Sequence, residues 1–141
     1  MADTLKLQIV TPEKRLVDED VEQVEMPGRN GYLGILPQHA PLLTELGPGE
    51  LGYIQGGKTS YLAVSWGFAE VLPDKVTVLA DAAERPEDID VRRAQEAKAR
   101  ADEALRKQDP ELDYDATLLA QRRAEVRLEV AARAGHTAAA R

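Results

Sequence analysis

The sequence predicts a mainly β N-terminal domain, an antiparallel β-sandwich or barrel, followed by a C-terminal α-helical antiparallel hairpin. Three observations predict it. First, composition changes near residue 88: nine of the ten glycines and seven of the eight prolines precede it, and Ala, Arg, Glu and Leu dominate beyond it. Second, the first part carries apolar residues at spacing two between Gly/Pro turns, the pattern of half-buried strands. Third, the second part carries small residues at steps of three and four, the spacing of one helix face. The expected domains are therefore 1–88, a sandwich, and 89–141, a two-helix hairpin.

The first strand is Leu5-Lys6-Leu7-Gln8-Ile9, which alternates apolar and polar and is ended by Thr11-Pro12. Val21 to Met26 is a second run, and the slip between Val21 and Val24 predicts a bulge. Leu51 to Gln55 and Lys58 to Val64 flank Gly56-Gly57, the two-residue signal of a tight hairpin. Leu62, Val64, Trp66 and Phe68 recur at spacing two and are expected on one face. Pro73-Asp74 turns the chain into Val76 to Ala80. Pro86-Glu87-Asp88 then stops the sheet and supplies an acidic helix start.

The first helix is expected from about Asp90 to Lys107, broken by Gln108-Asp109-Pro110. Asp113 or Asp115 can cap the second, which runs to about Ala134 with Gly135 as its stop. The short connection makes the pair antiparallel. Ala94, Ala97, Ala101 and Ala104 form the seam of the first helix. Thr117, Ala120, Ala124, Arg127, Ala131 and Ala134 form that of the second. Alanine lets helices approach closely but buries little, at about 0.8 kcal/mol per buried carbon group. Such a seam is either a bias of composition or a hairpin built to come apart.

Composition narrows the function. The chain has 141 residues, a net charge of −7 and no cysteine. Disulfides and thiolate metal sites are excluded, and the two histidines, His39 and His136, do not make a zinc cluster. The acidic balance argues against a nucleic-acid partner. The acidity is unevenly placed: residues 1–88 carry seven Lys/Arg against fifteen Asp/Glu, and residues 89–141 eleven against ten. No signal-peptide pattern opens the sequence, and no apolar run reaches the roughly 20 residues of a membrane span.

No catalytic constellation is legible. Gly28-Arg29-Asn30-Gly31-Tyr32-Leu33-Gly34 lacks the GK[ST] ending and following helix of a phosphate loop. It reads as a loop with close backbone approaches. His39 has no neighbouring ligand or acid in sequence and reads as structural. The arginines are more informative. Arg93 and Arg100 lie seven apart on one helix, and Arg123 and Arg127 four apart on the next. In an antiparallel hairpin four guanidinium groups can converge and take a polyphosphate. The alternative is a solvated face paired with Glu96, Glu103 and Glu125.

Gly31-Tyr32-Leu33-Gly34-Ile35-Leu36-Pro37-Gln38-His39-Ala40-Pro41-Leu42-Leu43, Gly67-Phe68-Ala69-Glu70-Val71 and Val76-Thr77-Val78-Leu79-Ala80-Asp81 carry a resemblance. In content and order they resemble the epsilon (ε) subunits of bacterial F-type ATP synthases. Trp66 departs from the pattern, since the family commonly has glycine there. The resemblance implies a sandwich of roughly ten strands and a non-catalytic regulatory subunit of the central-stalk rotor. Its sandwich binds the γ subunit and rests on the membrane rotor ring through the loop Pro27 to Gly34. The hairpin permits ATP hydrolysis when folded. Extended, it meets the catalytic head and blocks hydrolysis. The location implied is peripheral, on the cytoplasmic face of the bacterial inner membrane.

Some members bind ATP, as a regulatory ligand, through an I/L-D-x-x-R-A motif, which stands here as Ile89-Asp90-Val91-Arg92-Arg93-Ala94. The resemblance implies that Ile89 and Ala94 flank the adenine and that Glu84 and Asp90 select it. Arg93, Arg100, Arg123 and Arg127 would hold the ribose and polyphosphate; the magnesium requirement is left open. The competing readings are a free-standing ATP-sensing binding module with a non-motor partner and a small β-sandwich enzyme.

Overall fold

A computed structural model describes residues 3–134. Gly135, the expected stop of the second helix, and His136 lie outside the described residues. The chain divides into two compact units, 1–83 and 84–141. The division falls five residues before the change in composition. Glu84 explains part of the offset: its carboxylate is bonded to a helix residue, Arg127.

The first unit holds eight strands where roughly ten were expected. They are β1 (Leu5–Val10), β2 (Arg15–Val21), β3 (Gln23–Gly28), β4 (Gly31–Ile35), β5 (Leu42–Leu46), β6 (Gly49–Gln55), β7 (Lys58–Leu72) and β8 (Lys75–Glu84). The hydrogen-bonded order is β2-β1-β8-β7-β5-β3-β4, with β6 bridging β3 and β7. Every strand contributes to one aliphatic core, centred on Leu5, Leu7, Ile9, Met26, Ile35, Leu46, Leu51 and Leu62. β1 pairs antiparallel with β2 and parallel with β8, from Lys6 beside Lys75 to Val10 beside Leu79, while antiparallel ladders join β3 to β4, β5 and β6, and β7 to β5 and β6.

Two departures from the sequence reading have local causes. The slip between Val21 and Val24 is no bulge but a break between β2 and β3, where the Glu22 N–H donates to the Ile54 carbonyl at 2.7 Å. β2 itself escaped notice because Asp18-Glu19-Asp20 breaks the alternation, leaving only Val17 and Val21 buried. Pairing with β1 and bridges from Lys6 and Arg15 to Asp18 hold it in the sheet.

The second departure is in β7. Leu62 and Val64 are buried as expected, but Phe68 is 51% exposed, and Ala69 and Val71 face the core instead. The phase flips at Trp66 and Gly67, both at positive φ (57° and 125°). There the strand leaves β6 and takes up β5. A Cβ on Gly67 would stand 2.0 Å from the Leu79 carbonyl oxygen, so only glycine fits. Trp66 holds a backbone conformation that glycine adopts freely and that a residue with a Cβ adopts at a cost.

The Gly56-Gly57 hairpin is present, with Gln55 opposite Lys58 and both glycines at positive φ. The segment Pro27 to Gly34 is also a tight hairpin rather than an irregular loop, turning at Arg29-Asn30 between Gly28 and Gly31. A Cβ on Gly28 would lie 2.7 Å from the Gly31 carbonyl oxygen, the close approach expected of this stretch. His39 Nδ1 lies 2.7 Å from the Ala40 carbonyl, a local structural contact.

In the second unit Pro86–Asp88 forms a separate 3₁₀ turn rather than the first turn of the helix. Two helices follow, α1 (Val91–Arg106) and α2 (Tyr114–Arg133). Both begin where an aspartate can cap: Asp90 accepts the Arg93 N–H and Asp113 the Ala116 N–H, each at 3.1 Å. α1 ends at Lys107, and Gln108 takes the left-handed conformation (φ 54°) more often given to glycine at a helix end.

Candidate functional site

The hairpin's small residues decide the shape of the site. Ala94 and Ala101 of α1, and Ala124 and Ala131 of α2, are buried. Ala97, Ala104, Thr117 and Ala120 belong to the same seam but line an open cleft of about 480 Å³. Helices pack about 8–10 Å apart, and a methyl group does not fill that space. The seam is thus closed at some levels and leaves a groove beside them.

Arg100, Arg123 and Arg127 line this groove, with Asp113 the one carboxylate in its wall. Neither Arg100 nor Arg123 makes an ion pair among the described residues. Arg127 is bonded through Nε to Glu84 Oε1 at 2.6 Å. A second cleft of about 550 Å³ adjoins it, sharing Arg100, Ala104 and Leu112 and adding Lys107, Glu103 and Asp109. A groove bearing this excess of guanidinium groups suits a multiply charged anion, because arginine forks match phosphate oxygens and the anion relieves their repulsion.

The opposite flank of the hairpin closes on itself. Lys98 Nζ donates to Asp102 Oδ2 at 2.7 Å, and Gln121 Nε2 of α2 donates to Asp102 Oδ1 at 2.6 Å. Hydrogen bonds from Lys98 and then Gln121 hold the Asp102 carboxyl below the usual carboxylate range. The bond to Asp102, reinforced by its charge, raises Lys98 in turn. This interhelical link was not anticipated. Its sequence signal was the i, i+4 spacing of Lys98 and Asp102, which says nothing of Gln121.

The remaining expected residues are placed differently. Arg93 shares a helix face with Arg100 but lies about 10 Å nearer the start of α1, and it does not line the groove. Three of the four arginines line the groove. Ile89 and Ala94 are both 0% exposed, so in this arrangement neither offers a surface to a base. Asp90 is engaged as the cap of α1. Glu84 is engaged with Arg127. Among the described residues no group of three or more His, Asp or Glu could hold a metal ion.

A β-sheet unit followed by an antiparallel helical hairpin, with an arginine-lined groove along the hairpin, defines a class of two-part chains. Family models make the class specific. Residues 4–86 match the β-sandwich domain of the ATP synthase delta/epsilon chain, and residues 87–132 match its long α-helix domain. The chain belongs to the epsilon family of ATP synthase subunits, which are non-catalytic.

Relatives agree along the chain. The ATP synthase epsilon chain of Koribacter versatilis is 64% identical over 111 residues, covering 79% of this chain and 78% of that one. That of Geotalea uraniireducens is 46% identical over 138 residues, covering 95% and 98%. The fold recurs in a cryo-EM structure of Euglena gracilis mitochondrial ATP synthase. There the TM-score is 0.69 at 24% identity, with 95% of this chain and 82% of that chain covered.

Proposed function

We propose that this chain is the central-stalk epsilon subunit of a bacterial F-type, proton-translocating ATP synthase, and that its hairpin is an ATP-stabilised brake on ATP hydrolysis. The groove bearing Arg100, Arg123 and Arg127 on an alanine seam carries this reading. A triphosphate bridging α1 and α2 through those arginines would add binding energy to the folded hairpin alone. A ligand shifts a two-state equilibrium only by its differential affinity for the two states. ATP in plenty would therefore keep the hairpin folded and hydrolysis permitted. When ATP falls, the thin seam would part, and the extended helices would meet the catalytic head.

The first unit supplies assembly surfaces. Leu43 of β5 and Phe68 of β7 are 71% and 51% exposed and lie diagonally across adjacent strands, on the outer face of the sheet. That apolar pair suits the γ subunit. The tight hairpin at Arg29-Asn30, with Tyr32 exposed beside it, would rest on the rotor ring. No helix among the described residues is long and apolar enough to cross a membrane. The proposed location is peripheral, on the cytoplasmic face of the bacterial inner membrane.

The test is a calorimetric titration of the full chain with ATP, comparing wild type with Arg127→Ala. Wild type should bind one ATP, and the variant should bind it about tenfold or more weakly, since charge-assisted contacts contribute roughly 1.5–3 kcal/mol. In the assembled enzyme the variant should be inhibited at ATP concentrations that leave wild type active. Equal affinities for the two proteins would remove the groove from the mechanism.

A further inference from the structure

The expected role of Glu84 was to select a base, yet its carboxylate is spent on Arg127. The two residues are 43 apart in sequence, and the bond between Glu84 Oε1 and Arg127 Nε, at 2.6 Å, is among the shortest side-chain contacts in the second unit. Glu84 is the last residue of β8 and the first of the helical unit, and its side chain is only 29% exposed. Glu84 is not in the wall of the groove, whereas Arg127 is.

The choice of nitrogen matters. Arg127 uses Nε toward Glu84, which leaves both terminal nitrogens without a carboxylate partner among the described residues. A guanidinium is a planar fork, and fixing one edge fixes where the other points. A long arginine side chain otherwise carries rotamer entropy that an anion must overcome on binding. We infer that Glu84 is a positioning residue for Arg127, holding its guanidinium by the Nε edge so that the terminal nitrogens are set for the oxygens of a polyphosphate in the α1–α2 groove. The inference rests on the reading of the groove as a polyphosphate site, and it moves Glu84 from base recognition to phosphate recognition.

Two simpler roles make opposite predictions. If Glu84 were only a nearby negative charge, removing it would strengthen anion binding, because the groove would become more positive. If Glu84 met the adenine, removing it would weaken ATP and leave a ligand without a base untouched. Positioning predicts that Glu84→Gln weakens every polyphosphate alike, against the direction of bulk charge.

The experiment titrates the full chain with ATP, GTP and inorganic triphosphate, for wild type, Glu84→Gln, Arg127→Ala and the double variant. Thermal denaturation of each protein reports whether its fold is intact. Glu84→Gln should weaken inorganic triphosphate about three- to tenfold, with ATP weakened by the same factor. In the Arg127→Ala background the same substitution should have no effect, since partners in one interaction are not additive. A loss confined to ATP, unchanged or tighter triphosphate binding, or additive losses would each overturn the positioning role while leaving the groove as an anion site. Failure of wild type to bind both ATP and triphosphate would overturn the site itself, and the positioning role with it.

Discussion

The two units of this protein are stabilised by different amounts of the same material. The sandwich buries Leu5, Leu7, Ile9, Ile35, Leu51 and Leu62 to 2% exposure or less, and its packing reaches the backbone, as at Gly67 against Leu79. The helical unit buries four alanines, Ile89 and three valines, Val91, Val126 and Val130, and leaves a groove along its seam. Fully burying a leucine is worth about 1.5–3 kcal/mol, and an alanine contributes a single methyl group. The contrast teaches where the packing is thinner. The sandwich core is built from large aliphatics throughout, whereas the hairpin closes on alanines, a few branched aliphatics and polar links.

The comparison is tested most severely by Leu62→Ala. It should destabilise the sandwich by about 2–5 kcal/mol, read by denaturant unfolding through the fluorescence of Trp66, the chain's one tryptophan. A loss below about 1 kcal/mol would mean that the sandwich is no better packed than the seam.

A smaller effect is expected at the interhelical link. Asp102→Asn removes the charge that Lys98 and Gln121 engage. The chain has no cysteine, so labels placed through Gln95→Cys and Ala132→Cys, both at exposed positions, report the separation of α1 and α2. The variant should widen their distance distribution at neutral pH. In wild type the sign follows from the two shifts. Asp102 is lowered on folding, so its contribution is complete above about pH 4 and fades as pH falls through its depressed value. Lys98 is raised, so its contribution is complete below about pH 10 and fades as pH climbs through its elevated value. A separation that does not respond to the variant or to either extreme would show that apolar packing alone closes the hairpin.

The smallest effect sharpens the comparison from the other side. Gln108→Gly relieves a positive φ at an exposed residue just beyond α1. It should stabilise the hairpin by about 1 kcal/mol, seen as a higher midpoint of helical melting followed by circular dichroism. An unchanged or lower midpoint would place the weakness of the hairpin elsewhere than in its turn.

What the sequence disclosed follows from which signals are local. Both helices were legible to within a residue or two of their described ends because Asp90 and Asp113 cap them by bonds three residues away. The Gly56-Gly57 turn was legible for the same reason. β2 was not, because its stability comes from pairing with β1 and not from its own acidic pattern. The flip of face in β7 was hidden because a positive φ at Trp66 has no signature in a side chain that rarely adopts it. At the candidate site the arginines were visible as a spaced set, yet convergence depends on height along each helix. That dropped Arg93, and it left the pairing of Glu84 with Arg127, 43 residues away, to the folded chain alone.

The parallel ladder between β1 and β8 has a consequence for how this chain is made. β1 leaves the ribosome some seventy residues ahead of β8, and one of its two edges is satisfied only by Lys75 to Leu79. Contacts so distant in sequence close slowly, since the loop entropy is lost before the pairing is gained. Synthesis proceeds from the N-terminus at about 5–20 residues per second. For some seconds the nascent chain therefore exposes an aliphatic strand edge, Leu5-Lys6-Leu7-Gln8-Ile9, of the kind that invites pairing with another chain. Completion of the sandwich thus waits for β8, some seventy residues after β1, and the interval before it is when this protein is most exposed to aggregation.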